Sequence, residues 1–396
     1  MKQLKVALVH DWLTGMRGGE RCLEIFLQIY PQADIYTLIH IDKTTSSLID
    51  SKVKGTSFLQ KIPFIKYFYR WLLPIFPLAF NSIKLEDDYD LVISLNHAGA
   101  KNIKIPKNAK HICYCFTPMR YIWDQTENYF GKLRFLIWPI IKLLRAWDVR
   151  GSQNVDLFVT ISSFVSARVR CFYKRNAKVI YPAINDFWFQ ENPNMARGGF
   201  FLYAGALVPY KNVEKIIEAF NETNDELYIV GDGPLKQKLQ NIVKPNIRFI
   251  GRVTDAKLLR YYNTARALVF AAKEDFGLIP IEAQATGTPV IAGYGGALKE
   301  SLTALKYWRN DQDLDNNSTG VFFPLKTKNL KDEIISALSY YKDNEYKFSK
   351  LECVQNARRF SLAIFKEKWR EVEEMVLGID AHDKAQEISR KTINSF

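Results

Sequence analysis

The amino-acid sequence predicts an α/β protein made of two doubly wound parallel sheets, one following the other along the chain. Three observations predict it. The chain has 396 residues, which at roughly 100–200 residues per domain gives two domains, each able to bury its own core. Short apolar runs alternate with helical patterns along most of the length, the signature of parallel strands covered by helices on both faces. A polar loop rich in Gly, Pro and Asn divides that alternation into two series.

In the first series the strands are Lys5–His10, Asp34–Leu38, Leu91–Leu95, His111–Phe116, Leu157–Ile161 and Lys178–Tyr181. They are short and apolar, as buried parallel strands are. The loop Asn185–Gly199 reads as a linker. The second series runs Phe200–Ala204, Leu227–Val230, Ile247–Ile250, Ala267–Phe270, Pro289–Ala292 and Gly320–Phe323, and a helix follows from about Leu362 to Leu377. The polar residues after Leu377 read as a surface helix or frayed tail. Two such domains place a cleft between them, with ligands expected at the carboxyl ends of the strands.

Composition narrows the function classes. With 47% apolar, 14% aromatic and 24% charged residues the chain is globular, not disordered. Cys22, Cys113, Cys115, Cys171 and Cys353 are too scattered for a disulfide framework or a CxxC metal site, so a reducing compartment fits best. The first strand starts so near Met1 that no signal peptide fits before it, and no apolar run reaches a membrane-spanning length. The formal charge of +13 suits nucleic acid, anionic lipid or a phosphorylated substrate equally well.

Four strand-to-helix turns hold the candidate chemistry. Gly15-Met16-Arg17-Gly18-Gly19-Glu20 can turn its backbone N–H groups to a phosphate or sugar hydroxyl, or can be a tight turn that needs glycine. Lys211, in Gly205-Ala206-Leu207-Val208-Pro209-Tyr210-Lys211-Asn212, sits where a helix begins. A cation there opposes the helix dipole unless an anion is bound, which favours a phosphate-binding role. Val230-Gly231-Asp232-Gly233-Pro234 reads mostly as structure. Glu274 and Glu282 lie eight positions apart in Lys273-Glu274-Asp275-Phe276-Gly277-Leu278-Ile279-Pro280-Ile281-Glu282. Glu274 is expected in the loop and Glu282 a turn and a half into the helix, with the amides of Phe276, Gly277 and Leu278 placed to hold a phosphate or hydroxyl; taken alone, such a pair of glutamates also fits a solvated helix face. Asp311-Gln312-Asp313 reads as solvated surface, not as a metal-binding pair.

Together these residues resemble the retaining, metal-independent nucleotide-sugar glycosyltransferases of family 4. The resemblance is carried by EDFGLIPIEAQATGTPVIA from Glu274, GALVPYKN from Gly205, VGDGP from Val230 and FIG from Phe249. HDWLTGMRGGE from His10 and YCFTPMRYIWD from Tyr114 narrow it to bacterial mannosyltransferase-like enzymes of O-antigen and exopolysaccharide assembly. It implies the GT-B fold: two Rossmann-like domains facing across a cleft, with a C-terminal helix returning to the N-terminal domain. The domains are then 1–185, facing acceptor and membrane, 186–355, binding the nucleotide sugar, and 356–396, crossing back. It also implies that Glu274 contacts the donor sugar, Glu282 the ribose and Lys211 the diphosphate, and that His97 meets the donor sugar from the first domain. Gly18, Gly19, Phe276, Gly277 and Leu278 complete the expected donor site. Many members carry an arginine where this chain has Ala206, a loss for which Arg252 or backbone amides compensate. Phe116 stands where close relatives place a second histidine.

From Lys52 to Lys84 there is no acidic residue, while Lys61, Lys66 and Arg70 are interleaved with Phe64, Tyr67, Trp71, Phe76 and Phe80. The segment Gly131 to Trp147 repeats the composition with Lys132, Arg134, Lys142 and Arg145. Such stretches suit an anionic membrane surface, or core helices with a solvated basic rim; single-strand nucleic-acid binding ranks lower because no nucleic-acid-binding motif accompanies them. Lys61, Lys66, Arg70, Trp71 and Arg120 are the expected membrane and acceptor residues.

The expected function is therefore retaining transfer of a hexose, mannose from GDP-mannose, to a polyprenyl-diphosphate-linked saccharide at the inner face of the cytoplasmic membrane. No metal or cofactor and no nucleic acid is expected to take part. A UDP-sugar donor, or a non-catalytic nucleotide-sugar or glycan-binding protein of the same fold, are the alternatives.

Overall fold

A computed structural model describes residues 4–131, 135–190, 196–308 and 317–378. The chain forms two compact units: Met1–Pro182 together with the chain from Phe365 onward, and Ala183–Ile364. The first holds β1 (Val6–His10), β2 (Asp34–Thr37), β3 (Val53–Thr56), β4 (Leu91–Asn96), β5 (Lys110–Cys115), β6 (Leu157–Thr160) and β7 (Ala177–Val179). The second holds β8 (Phe200–Ala204), β9 (Glu226–Val230), β10 (Ile247–Gly251), β11 (Leu268–Phe270), β12 (Val290–Tyr294), β13 (Ala304–Lys306) and β14 (Gly320–Pro324).

Among the described residues each sheet has seven strands, ordered β3-β2-β1-β4-β5-β6-β7 and β10-β9-β8-β11-β12-β14-β13. Every strand pair is parallel. The order reverses between β1 and β4 in the first sheet and between β8 and β11 in the second. Connections leaving the two strands at such a point run in opposite directions, which opens a crevice at their carboxyl ends.

The central strands are mostly apolar because both faces are covered: all six residues of β4 are buried, and only Ser94 and Asn96 among them are polar. The helix Leu362–Leu377 buries Phe365, Trp369 and Val372. Trp369 packs edge-on to Phe26 with ring centroids 4.6 Å apart, and its indole donates to Tyr30 Oη at 2.7 Å. Burying such aromatics is worth about 1.5–3 kcal/mol each, which fastens this last helix to the first unit.

Two sequence expectations need correction here. In the loop expected as a linker, Asp186–Phe189 forms a 3-10 turn whose Trp188 is buried against Tyr262, ring centroids 5.7 Å apart. An indole that large is driven into the nearest apolar site. Phe76 and Phe80, read with the membrane-facing aromatics, are buried in the first core. The polar tail beyond Gly378, Asp311-Gln312-Asp313, Lys132 and Arg134 lie outside the described residues.

His111, at the start of β5, is fully buried, and burial pushes its imidazole down to about 4. Its Nδ1 donates to Asn154 O at 3.2 Å, and its Nε2 accepts from Ser94 Oγ at 2.8 Å. A neutral ring satisfies both bonds. Because the folded value lies below the unfolded one of about 6.5, stability is complete above pH ~6.5 and is lost as pH falls toward 4, by roughly 3 kcal/mol. Thermal melts at pH 7.5 and 4.5 should show that loss, and His111→Gln should remove most of the difference.

Candidate functional site

At the reversal point of the first sheet, β1 ends in His10 and β4 in Asn96. Asp11, fully buried just past β1, reaches the turn that follows β4. Its carboxylate accepts the backbone N–H groups of His97 (2.6 Å), Ala98 (2.9 Å), Gly99 (2.6 Å) and Ala100 (2.7 Å). One of its oxygens also lies 2.9 Å from His97 Nδ1. Burial alone would raise this carboxyl; the His97 ring and N–H, with His10, outweigh it and hold Asp11 well below the usual carboxylate range. With Nδ1 bonded to Asp11, His97 keeps Nε2 for a ligand. The ring is wedged edge-on against Trp12, centroids 4.4 Å apart, with Phe116 at 6.5 Å.

His10 is fully buried, and burial lowers its pKa. Nδ1 donates to Trp12 O at 3.0 Å, so the neutral ring presents an acceptor at Nε2. Among the described residues that Nε2 has no hydrogen-bond partner, and it lies 3.1 Å from where a Cβ on Gly19 would stand. Gly18 and Gly19 open the helix Gly18–Ile29, so a side chain at 19 would press on His10. The glycine expected to face a ligand thus also makes room for a histidine.

In the second unit the reversal point brings the loops after β8 and β11 together. Lys211 ends a 3-10 turn, Pro209–Lys211, and is buried, with Nζ 3.4 Å from Glu274 Oε1. The anion that meets this lysine is the Glu274 carboxylate, not only a bound phosphate as the dipole argument supposed. Nζ also lies over the Phe270 ring, 5.5 Å from its centroid. Asn212, in the left-handed region at φ 52°, ties the turn to β11 through an Nδ2 bond to Ala271 O at 2.7 Å. Burial pushes the Tyr203 phenol up, with Tyr210 and Glu274 adding to the shift.

Gly277 caps the helix Leu278–Ala285 at φ 87°, a conformation that a residue with a Cβ adopts only under strain. Glu282 lies in that helix and is buried, at 5% exposure. Phe276 is buried too, its ring 5.5 Å from Phe360, and holds the loop down. The structure thus gathers Lys211, Glu274, Gly277 and Leu278 at one crevice. Arg252 has an 83% exposed side chain, with Nε 3.8 Å from Asp232 in the turn after β9, and the carbonyl of Asp232 accepts from Leu207 N at 3.0 Å in the loop that leads to Lys211.

The basic, aromatic residues divide by environment. Ile65, Tyr69, Leu73 and Phe76 are core, whereas Phe64, Tyr67 and Trp71 are 76%, 73% and 77% exposed. Phe135, Leu136 and Leu143 are likewise exposed, at 73%, 78% and 73%. Lys61, Lys66 and Arg70 are exposed, and Arg120 is half-buried. The sequence reading passed over Asp11. Its signal was there, a carboxylate directly after an apolar strand, but its partners stand 86 to 89 residues away.

His40, Asp42 and Asp50 bring three potential ligand atoms within 4.8 Å of one another. Asp50 is already occupied: it accepts from Thr45 Oγ1 and from Lys43 N at 3.1 Å, and lies 2.8 Å from His40 Nε2.

Residues 185–351 match the family described as glycosyl transferases group 1. An uncharacterised glycosyltransferase of Methanocaldococcus jannaschii is 29% identical over 156 residues, 38% of this chain and 43% of its own, so the match spans less than half of that relative. The O-antigen chain mannosyltransferase of Salmonella typhimurium is 25% identical over 71% of this chain and 76% of its own. Among solved structures, Anabaena HepE in complex with UDP superposes with a TM-score of 0.67 at 15% identity, over 94% of this chain and 100% of that one. With both parallel sheets, this makes the fold GT-B, and residues 185–351, which carry Lys211, Glu274 and Glu282, are a glycosyl transferases group 1 domain.

Proposed function

We propose that the protein is a retaining glycosyltransferase of family 4 that moves a hexose, mannose from GDP-mannose, onto a lipid-linked saccharide during cell-surface polysaccharide synthesis. The observation that carries this reading is the meeting of Lys211 and Glu274 at the reversal point of the second sheet, beside the glycine-capped helix that holds Glu282. Similarity to the O-antigen chain mannosyltransferase supports the choice of mannose.

Lys211 neutralises charge on the departing diphosphate, and Glu274 positions the donor sugar while stabilising positive charge at its anomeric carbon. Glu282 binds the ribose. The acceptor hydroxyl attacks the face from which the diphosphate leaves and gives its proton to that diphosphate, so no protein nucleophile is needed. Lysine and backbone N–H groups supply the electrostatics, and transfer is expected to persist in EDTA. Radiolabelled hexose transfer to a membrane extract, run with GDP-mannose, UDP-glucose and UDP-galactose, tests the reading. Transfer from GDP-mannose supports it; transfer from a UDP-sugar alone replaces the donor, and hydrolysis or transfer from none overturns it.

Among the described residues no helix is long and apolar enough to cross a membrane. We place the protein in the cytoplasm, attached peripherally to the inner face of the membrane through the exposed aromatics and cations around Phe64 and Trp71. At roughly 1 kcal/mol per Lys or Arg near an anionic surface, a few such residues suffice for reversible recruitment. Phosphatidylglycerol vesicles should sediment the protein at low salt, and high salt should release most of it. A Lys61→Glu, Trp71→Ser variant should stay in the supernatant.

A further inference from the structure

A pocket of about 360 Å³ opens in the first unit between the turn after β1 and the 3-10 turns that follow β3. Arg17, Lys66 and Arg70 line it together with Thr14, Thr44 and Tyr69, and no carboxylate is among its lining residues. Tyr69 Oη lies 3.3 Å from Thr14 Oγ1 and accepts from Arg70 Nε at 3.2 Å, which fixes one cation at the pocket wall. Lys66 sits over the Tyr67 ring, 4.8 Å from its centroid. Three cationic side chains lining one concavity create a field of one sign that favours an anion. Guanidinium and ammonium donors beside hydroxyls are the groups that bind phosphate oxygens.

The surroundings say which phosphate. Phe64, Tyr67 and Trp71, all more than 70% exposed, come from the same short stretch of chain. His97 stands two ring contacts from the pocket wall: Tyr69 packs on Trp12 with centroids 5.2 Å apart, and Trp12 on His97 at 4.4 Å. We infer that this pocket binds the diphosphate of a prenyl-diphosphate-linked acceptor, with Arg17, Lys66 and Arg70 on its oxygens and the prenyl chain along Phe64, Tyr67 and Trp71. The inference rests on the transferase reading above for the identity of the acceptor. It adds the site that holds the charged group and so delivers the saccharide to His97.

Calorimetric titration with farnesyl diphosphate, farnesol and inorganic pyrophosphate tests it on the full chain. Farnesyl diphosphate should bind at least tenfold more tightly than either of the others, and equally well when GDP is saturating. Lys66→Gln with Arg70→Gln should weaken that binding at least tenfold and leave GDP affinity within twofold. Lys66→Arg with Arg70→Lys, which keeps both charges, should restore most of it, and Thr44→Trp, which fills the pocket without changing charge, should abolish it. Equal binding of farnesol, unchanged binding in the double glutamine variant, or displacement by GDP would overturn the inference. So would displacement of farnesyl diphosphate by soluble glycerol 3-phosphate at matched phosphate, which would make the pocket a general headgroup site. Farnesyl diphosphate binding lost in the double variant, in a protein that transfers no hexose, would sustain the pocket and sink the transferase reading. Transfer with the acceptor KM unchanged in that variant would do the reverse.

Discussion

Glu274→Gln is expected to lower hexose transfer by about 10- to 1,000-fold, the range for removing one preorganised polar group from a transition state, or roughly 1.4–4 kcal/mol. The substitution keeps the shape of the side chain and removes the charge that stands 3.4 Å from Lys211. Lys211 then faces the diphosphate without a competing carboxylate. Affinity for free GDP should therefore stay level or tighten up to about threefold, while kcat falls. Lys211→Ala should do the opposite to binding, weakening GDP at least tenfold, and Glu282→Ala should weaken it as well. Parallel loss of GDP affinity in Glu274→Gln and Glu282→Ala would mean that Glu274 serves nucleotide binding and not the sugar. Steady-state kinetics paired with calorimetry on the same preparations separates these outcomes.

Asp11→Ala is expected to destabilise the first unit by roughly 3–5 kcal/mol, because it takes a buried charge from beside His97 and leaves buried N–H groups without an acceptor. Asp11→Asn is the more informative change. A carboxylate accepts on both oxygens, as the N–H groups of residues 97 to 100 require; an amide accepts on one and turns its NH2 toward the remaining donors. The turn should open, and His97 should lose the partner at Nδ1 that orients it. Hydrogen exchange at amides 97–100 should accelerate at least tenfold. Turnover should drop as far as in His97→Ala, since each change removes the same oriented ring. Normal exchange together with normal turnover in Asp11→Asn would show that the turn is held by its own backbone, and Asp11 would lose its positioning role.

The interior strands were legible in the sequence for a direct reason. A strand covered on both faces is apolar at most positions, so β1, β4, β8 and β12 read as nearly continuous runs. The two missed strands lie at sheet edges, where that requirement lapses. β3 is Val-Lys-Gly-Thr with no fully buried residue, and β13 is three residues long. Glycines at strand-to-helix turns marked where the loops at the strand ends start, since a left-handed backbone such as that of Gly277 excludes most other residues. The C-terminal helix was visible from its pattern, but its partners Phe26 and Tyr30 were not.

By itself the sequence determined two parallel α/β units, their interior strands, the loops that carry Lys211, Glu274 and His97, and the helix that carries Glu282. It did so through patterns that repeat every few residues and need no knowledge of distant partners. Only the tertiary structure decided that Asp11 lies beneath the His97 turn, that Glu274 is the counter-ion of Lys211, and that Arg17 joins Lys66 and Arg70 at one pocket. Each of these depends on which strands become neighbours where the sheet order reverses. Neighbours in a parallel sheet are separated by at least one full crossover, so residues that meet at their carboxyl ends are far apart along the chain, beyond the reach of any local pattern.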